Sequence, residues 1–450
     1  MSEVIKIKRG LDIKLKGKAD KILMQAPRSK TYAVKPPDWH ALMPKLLAKP
    51  GTEVRVGTPL FFDKYRPDVK FVSPVSGRVK DVNRGERRRI LEVVIEDDGR
   101  DTAEQFPSGN PKELPREKIV ETLLESGLWP VIHQRPYDVI AYPQDEPRDI
   151  FISGFDTAPL APDPDYTMKD LAEPFQAGVD VLARLTSGKV HLGLNARYPS
   201  ARAFSSAKNV VRHEFQGPHP AGNVGIQIHH VAPINKGEKV WTVKPQDVVA
   251  IGRLFMTGKY DPSMVVALTG SEVKKPVYYR MIRGAEIAPL IHDNIRQDHV
   301  RYISGNVLTG KRISKDGYVG FSDNQLTVIP EGDHYEMFGW IMPGFHKYSV
   351  KRSFPTWLMP NREYRLHTNV NGGRRAFVMT GEYEKVLPMD IYPVHLLKSI
   401  LVEDIDRMEQ LGIYEVIEED LALCEFVCTS KTHVQQILRT GLDTMRKELE

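Results

Sequence analysis

The chain has 450 residues, 63 of them Lys or Arg against 58 Asp or Glu, for a net charge of +5. That length exceeds what one hydrophobic core supports and implies three or four domains. So small a charge excess gives no electrostatic footprint for nucleic acid, and the cluster Arg84, Arg87, Arg88 and Arg89 reads as a solvated hairpin tip.

The opening MSEVIKIKRG lacks the apolar core of a signal peptide, and no run of about 20 apolar residues could cross a bilayer. Two cysteines, Cys424 and Cys428, cannot staple a secreted scaffold. The expectation is a cytoplasmic chain that meets a membrane only through a partner.

Residues 1–104 read as all-β, with short apolar segments punctuated by Gly, Pro, Asn and Asp. Within them, Gly51, Val54 and Gly57, then Pro74, Gly77 and Val79, resemble the two halves of a biotinyl/lipoyl-type hammerhead. Counting back from Pro74 puts the tip between the halves at Arg66-Pro67; arginine cannot carry an acyl amide, and Lys64 is offset from that tip by two residues. The module is therefore expected to be structural.

From 105 to 257 the pattern turns α/β. Ile119, Val120, Leu123 and Leu124 sit at helical spacing and Gly127 supplies the stop; β-like 149–153 and 189–194 flank a helix at 175–185. A Rossmann-like sheet fits, yet no G-x-G-x-x-G follows any strand, and the turn Ser126-Gly127-Leu128-Trp129-Pro130 is a poor phosphate cradle.

Residues 258–335 give a β-β-α-β-β order: strands at 264–268, 277–282, 318–321 and 326–329, and a helix at 286–294. That order suggests a β-grasp module. Residues 336–380 connect it onward through an aromatic and Met-rich stretch, and 381–450 form a helical domain. In that domain Leu397, Leu401, Ile405, Met408 and Leu411 make one apolar stripe, and Val434, Ile437, Leu438, Leu442, Met445 and Leu449 another.

The longest run without Asp, Glu, Lys or Arg lies in the second of these units, from Phe215 to Asn235. Its first half reads as a glycine-dependent loop where a ligand or partner could approach the backbone, and 224–231 as a strand with Val224, Ile226 and Ile228 on one face. Adjacent His229 and His230 on a strand would point to opposite faces, so no chelate is expected there. Cys424 and Cys428 fall short of the four ligands that an iron–sulfur cluster takes. Nor does any motif assemble a hydrolytic triad or a zinc-protease site. The stretch from Tyr335 to Pro360 reads first as buried core of the preceding unit, and second as a docking surface.

Four segments carry a resemblance over the whole chain: IKIKRGLDIKLKG, HPAGNVGIQIH, FGWIMPGFHKYSVKRSF and DLALCEFVC. With the order of units, they resemble the A-subunit family of bacterial sodium-translocating NADH:quinone oxidoreductases. More distantly they resemble the C-subunit of Rnf-type complexes and the flavin-binding subunit of complex I. The resemblance implies a fold that has lost its flavin loop and cysteine set, so no cofactor is expected on this chain. It implies a peripheral subunit on the cytoplasmic face of the inner membrane, in a six-subunit complex that passes electrons from NADH to ubiquinone and exports sodium. Flavins and the iron–sulfur centre would sit on partners, and the membrane-embedded B-subunit would be the docking partner.

A quinone needs an apolar slot with one or two hydrogen-bond donors. His219 and Gly222, or Trp340 and Phe345, could supply it. An architectural adaptor without a ligand is the alternative.

Overall fold

The computed structural model describes residues 4–339 and 341–449. The chain begins with two strands that leave their neighbours in sequence. β1 (Ile5–Lys6) joins the sheet of the second unit, and β2 (Asp20–Gln25) becomes the edge strand of the third unit's sheet. The N-terminal unit proper holds β3 (Thr31–Val34), β4 (Pro44–Leu46), β5 (Glu53–Val54), β6 (Pro59–Asp63), β7 (Arg66–Val72), β8 (Gly77–Arg84) and β9 (Ile90–Asp97).

These form a four-stranded sheet, β3-β9-β8-β5, and a three-stranded one, β4-β6-β7. Their shared core contains Leu60, Phe61, Val69, Phe71, Val79, Val93 and Ile95, with Phe61 stacked on Phe71 at 4.7 Å. The hairpin tip is a correction. It falls at Lys64-Tyr65, because Asp63 pairs with Arg66 across the turn. Asp63 is buried and accepts hydrogen bonds from Arg66 Nε at 2.8 Å and the Tyr65 N–H at 3.3 Å. Arg66 also donates to the Ile140 carbonyl at 2.8 Å, which docks the hairpin on the second unit.

That unit starts with α1 (Arg116–Glu125) and contains β10 (His133–Arg135), β11 (Val139–Ile140) and β12 (Asp149–Ser153). It continues with α2 (Pro164–Thr167), α3 (Ala172–Leu182), β13 (Val190–Asn195), α4 (Arg202–Ser205), β14 (Val211–Gln216), α5 (Val224–Val231), β15 (Val240–Thr242) and α6 (Pro245–Thr257). The strand order is β1-β14-β13-β12-β15-β10-β11. From β12 the chain steps outward through β13 to β14 in parallel, then returns to lay β15 on the other side of β12.

Buried Ile150, Phe151 and Ile152 run without alternation along β12, as expected for a strand covered on both faces. Helices α3 and α6 meet at Gly178 and Gly252. A Cβ on the first would lie 2.0 Å from the Val248 carbonyl oxygen, and one on the second 1.9 Å from that of Pro174.

The segment expected as a strand at 224–231 is instead α5. The apolar spacing over so short a run fits either period, and topology decides. Parallel β14 and β15 lie on opposite sides of β12, so the chain between them must cross over, usually as a helix.

The third unit comprises β16 (Ser263–Thr269), β17 (Val277–Ile282), α7 (Ala288–Ile291), β18 (Val300–Ser304), β19 (Lys311–Ile313) and β20 (Gln325–Pro330). Its sheet runs β19-β18-β20-β16-β17-β2. The expected helix at 286–294 shrinks to the four residues of α7. The expected strand at 318–321 reduces to a single bridge between Glu286 and Tyr318, while β18 and β19 form where no strand is expected.

The described residues of 331–339 and 341–382 wrap the surface and include a 3-10 turn at Pro355–Leu358. They are pinned where Arg365 clamps Glu272 at 2.7 and 3.0 Å and where the Tyr364 N–H donates to the Lys14 carbonyl at 2.8 Å. The chain ends in α8 (Tyr383–Val386), α9 (Pro393–Leu401), α10 (Ile405–Gln410), α11 (Ala422–Val427) and α12 (Val434–Leu449). The first expected stripe is split between α9 and α10, with Leu401 exposed; in the second, Val434, Leu438, Leu442 and Met445 are fully buried and Leu449 is exposed. No described helix is long and apolar enough to cross a membrane.

Candidate functional site

The loop between β14 and α5 lies beyond the carboxyl end of a parallel strand next to the sheet's edge, on the side where open α/β sheets usually bind their ligands. Two other loops close on it: residues 10–12, and 154–158 after β12. Nearly every backbone group of the glycine-rich turn is already bonded. The His219 N–H donates to Asp12 Oδ1 at 2.8 Å and its carbonyl accepts from the Leu11 N–H at 2.8 Å. The Gly222 N–H donates to the Thr157 hydroxyl at 2.9 Å, and the Gly222 carbonyl accepts from Ser153 Oγ at 2.9 Å.

Gly222 is required for a reason the sequence could not show. A Cβ there would lie 2.6 Å from the Thr157 backbone nitrogen. The close approach expected of a ligand is made by the protein's own neighbouring loop.

His219 is 3% exposed, and its Nδ1 lies 3.1 Å from the Thr157 hydroxyl. That hydroxyl accepts from Gly222 and is assigned as donor to Nδ1, which leaves the ring proton on Nε2. This tautomer is assigned from the hydrogen-bond network. Burial lowers the imidazole pKa to about 4. A neutral histidine with one committed nitrogen can donate a single hydrogen bond and does not act as a base. Asp12 and Thr157 were missed from the sequence because each lies far from His219 along the chain and carries no motif.

The second candidate group behaves differently. Phe345 is 61% exposed, and Met337, Phe338, Ile341, Met342, Leu358 and Met359 are exposed with it. The first expectation, that this stretch is core of the third unit, is overturned: the chain reaches it after β20, the last strand of that sheet, and runs outside the layers. Charged and aromatic neighbours rim it, with Lys347 over the Phe354 ring at 5.7 Å and Arg352 over Trp357 at 5.1 Å. Trp340 lies outside the described residues. Among the described residues no hydrogen bond or ring contact joins Phe345 to the His219 loop, so the two alternative locations are separate places on the chain.

The histidines of α5 are also tied down. His229 Nδ1 pairs with Glu415 Oε2 at 2.7 Å, and His230 Nδ1 bonds its own helix at the Ile226 carbonyl, 2.9 Å away. Cys424 is fully buried and its thiol pKa is pushed up by burial. Cys428 is pulled down despite its burial by polar neighbours, among which the Thr432 N–H donates to its Sγ at 3.3 Å. Two such thiols remain half of a four-thiolate set.

The domain description "NqrA N-terminal barrel-sandwich hybrid domain" matches residues 5–98, "NqrA second alpha/beta domain" matches 114–260, and "NQRA C-terminal domain" matches 265–315. The A-subunit of the Na(+)-translocating NADH-quinone reductase of Neisseria gonorrhoeae is 40% identical over 451 residues, covering 99% of this chain and 100% of that protein. The chain belongs to the A-subunit (NqrA) family of Na(+)-translocating NADH-quinone reductases.

The corresponding subunit of Yersinia pestis bv. Antiqua is 39% identical with the same coverage. A crystal structure of an NAD+-reducing nickel–iron hydrogenase aligns over 76% of this chain and 62% of its own, at 12% identity and a TM-score of 0.38. That likeness is too low to bear on function. Membership of the NqrA family agrees with a multidomain α/β chain that opens with a barrel-sandwich unit.

Proposed function

We propose that this chain is the peripheral NqrA-type subunit of a membrane complex that passes electrons from NADH to ubiquinone and exports sodium, and that it contributes to the quinone-reducing end. Family membership over the whole length is the observation that carries this reading. In this reading the complex has six subunits, the flavins and the iron–sulfur centre sit on the partners, and this chain docks on the membrane-embedded B-subunit at the cytoplasmic face.

The units are proposed to divide at 1–104, 105–257, 258–335, 336–380 and 381–450. The second is Rossmann-like without a flavin loop, the third a β-grasp module and the last a helical domain. The one-ligand donor capacity of neutral His219 suits a quinone carbonyl. The exposed face around Phe345 suits an apolar slot completed by a partner. His219, Gly222, Trp340 and Phe345 are therefore retained as the proposed quinone contacts.

A second reading, an adaptor with no ligand, is favoured by the closed packing around Gly222. A titration of the purified chain with a short-chain ubiquinone, read by tryptophan fluorescence and calorimetry, separates the two. Saturable binding weakened in a His219→Ala, Phe345→Ala variant supports a quinone site. A flat titration of the folded chain leaves the adaptor and moves the quinone to a partner.

A further inference from the structure

Three units meet at a seam rich in ionisable groups. His40 comes from the N-terminal unit, where its backbone bridges to Val139. Asp138 lies in the turn between β10 and β11, and Glu418 lies in the loop before α11. His40 Nε2 is 3.7 Å from Asp138 Oδ2 and 3.7 Å from Glu418 Oε1. One ligand atom from each of the three residues lies within 4.8 Å of the others.

These separations are too long for hydrogen bonds. They are close to the roughly 3.3–3.6 Å between two donors on a tetrahedral zinc with bonds of about 2.0–2.2 Å. The other Asp138 oxygen accepts from His133 Nδ1 at 3.0 Å, the kind of outer partner that orients a ligating carboxylate.

Glu418 is suited to bridge two cations. Its Oε1, the oxygen that faces His40, also lies 3.3 Å from Arg439 Nη1, while its Oε2 is shielded from solvent and has no hydrogen-bond partner among the described residues. A buried carboxylate oxygen without a partner is costly, and a cation taking both Glu418 oxygens would satisfy it.

Charges of both signs face the seam: Asp138, Glu418 and Asp443 stand with Arg439, which pairs with Asp443 at 3.2 Å, while Arg135 acts on Asp138 and Lys311 on His40.

A second cluster, His334, Glu336 and His367, is weaker. Glu336 is taken by Lys347, and His367 Nδ1 accepts from the Asn369 N–H at 3.1 Å.

We propose that the seam between the N-terminal, second and helical units binds a divalent cation of the zinc class, held by His40 Nε2, Asp138 and Glu418 with water completing the shell. Such an ion clamps three units that otherwise meet through side-chain contacts and the His40–Val139 backbone bridge. It would give the subunit a metal-dependent rigidity that its redox role does not require.

The test uses the full chain stripped by a chelator, titrated with Zn2+ by calorimetry and with Co2+ by absorption. One saturable site is expected, with affinity lowered about 100-fold or more in His40→Gln and in Glu418→Gln, and about tenfold in His133→Gln. Glu336→Gln should bind as the parent does. Crystals of the unaltered chain soaked in zinc should give an anomalous peak about 2.0–2.2 Å from His40 Nε2, whether or not the variants fold. No saturable binding by the folded chain overturns the proposal. So does binding that survives His40→Gln and is lost in Glu336→Gln, or an anomalous peak only at the exposed cluster.

Discussion

Replacing Arg135 with Met should loosen the helical domain from the second unit. Arg135 and Asp420 are both sealed from solvent, and Arg135 Nη1 donates to Asp420 Oδ2 at 2.7 Å while Nη2 reaches Glu419 Oε1 at 2.9 Å. Gly225 makes room for the pair, since a Cβ there would lie 2.4 Å from the guanidinium and 2.5 Å from the carboxylate. Methionine fills similar volume but leaves Asp420 buried without its cation, a change that costs about 3–5 kcal/mol when one partner is removed.

Glu419 is 38% exposed in its side chain and can turn to water, so Asp420 carries most of the loss. A chain of several units does not unfold in one step, and a global midpoint would blur the effect. Hydrogen exchange of the α11 and α12 amides reads the local opening directly. The expected rise in exchange is on the order of 10²–10⁴-fold. Adding Asp420→Asn removes the stranded charge and keeps an acceptor for the Ile417 N–H, 3.1 Å away, so the double variant should recover most of the protection. Exchange within about threefold of the parent in Arg135→Met alone would refute the reasoning.

Other substitutions test the loop and the exposed face. His219 titrates near 4 in the folded chain against about 6.5 unfolded, so between those values the unfolded chain binds more protons. Its contribution is complete above about 6.5 and is lost as pH falls toward 4; His219→Gln should reduce the stability difference between pH 7.5 and pH 5 by about 2 kcal/mol, read by denaturant melts of the second unit. Gly222→Ala places a methyl against the Thr157 backbone and should cost about 1–3 kcal/mol, seen as a lower midpoint in thermal melts. Met342→Asp with Phe345→Asp changes only exposed side chains, so the circular dichroism spectrum and melt should match the parent. Recovery of membrane partners with the variant should nevertheless fall at least about tenfold in an affinity pull-down.

Much of the framework is legible because long apolar runs and turn residues speak locally. Helix α1, strands β12, β13, β16, β17 and β20, and the buried stripe of α12 follow from spacing alone. The errors share a cause. Val224, Ile226 and Ile228 satisfy a strand's alternation, but the crossover from β14 to β15 requires a helix, and that demand comes from strand order. Strands β1 and β2 pair with residues more than two hundred positions away, which no local pattern encodes.

The site is less legible still. His219 stands out as a histidine in an uncharged run, yet Asp12 and Thr157, which fix its backbone and its tautomer, reach it only through the fold. Gly222 reads as an opening for a ligand because glycine marks close approach without naming what approaches. Phe345 reads first as core because aromatic and Met-rich stretches usually are; its exposure follows from lying beyond the last strand of its sheet.

The central claim is most directly tested in the host cell. The chain, tagged and returned to cells from which its gene has been removed, should be captured from detergent-solubilised membranes as part of a larger assembly. That assembly should reduce ubiquinone with NADH at a rate stimulated by sodium, and membranes lacking the chain should have lost this activity. Membranes that keep full sodium-stimulated NADH:ubiquinone reductase activity without the chain would contradict the account.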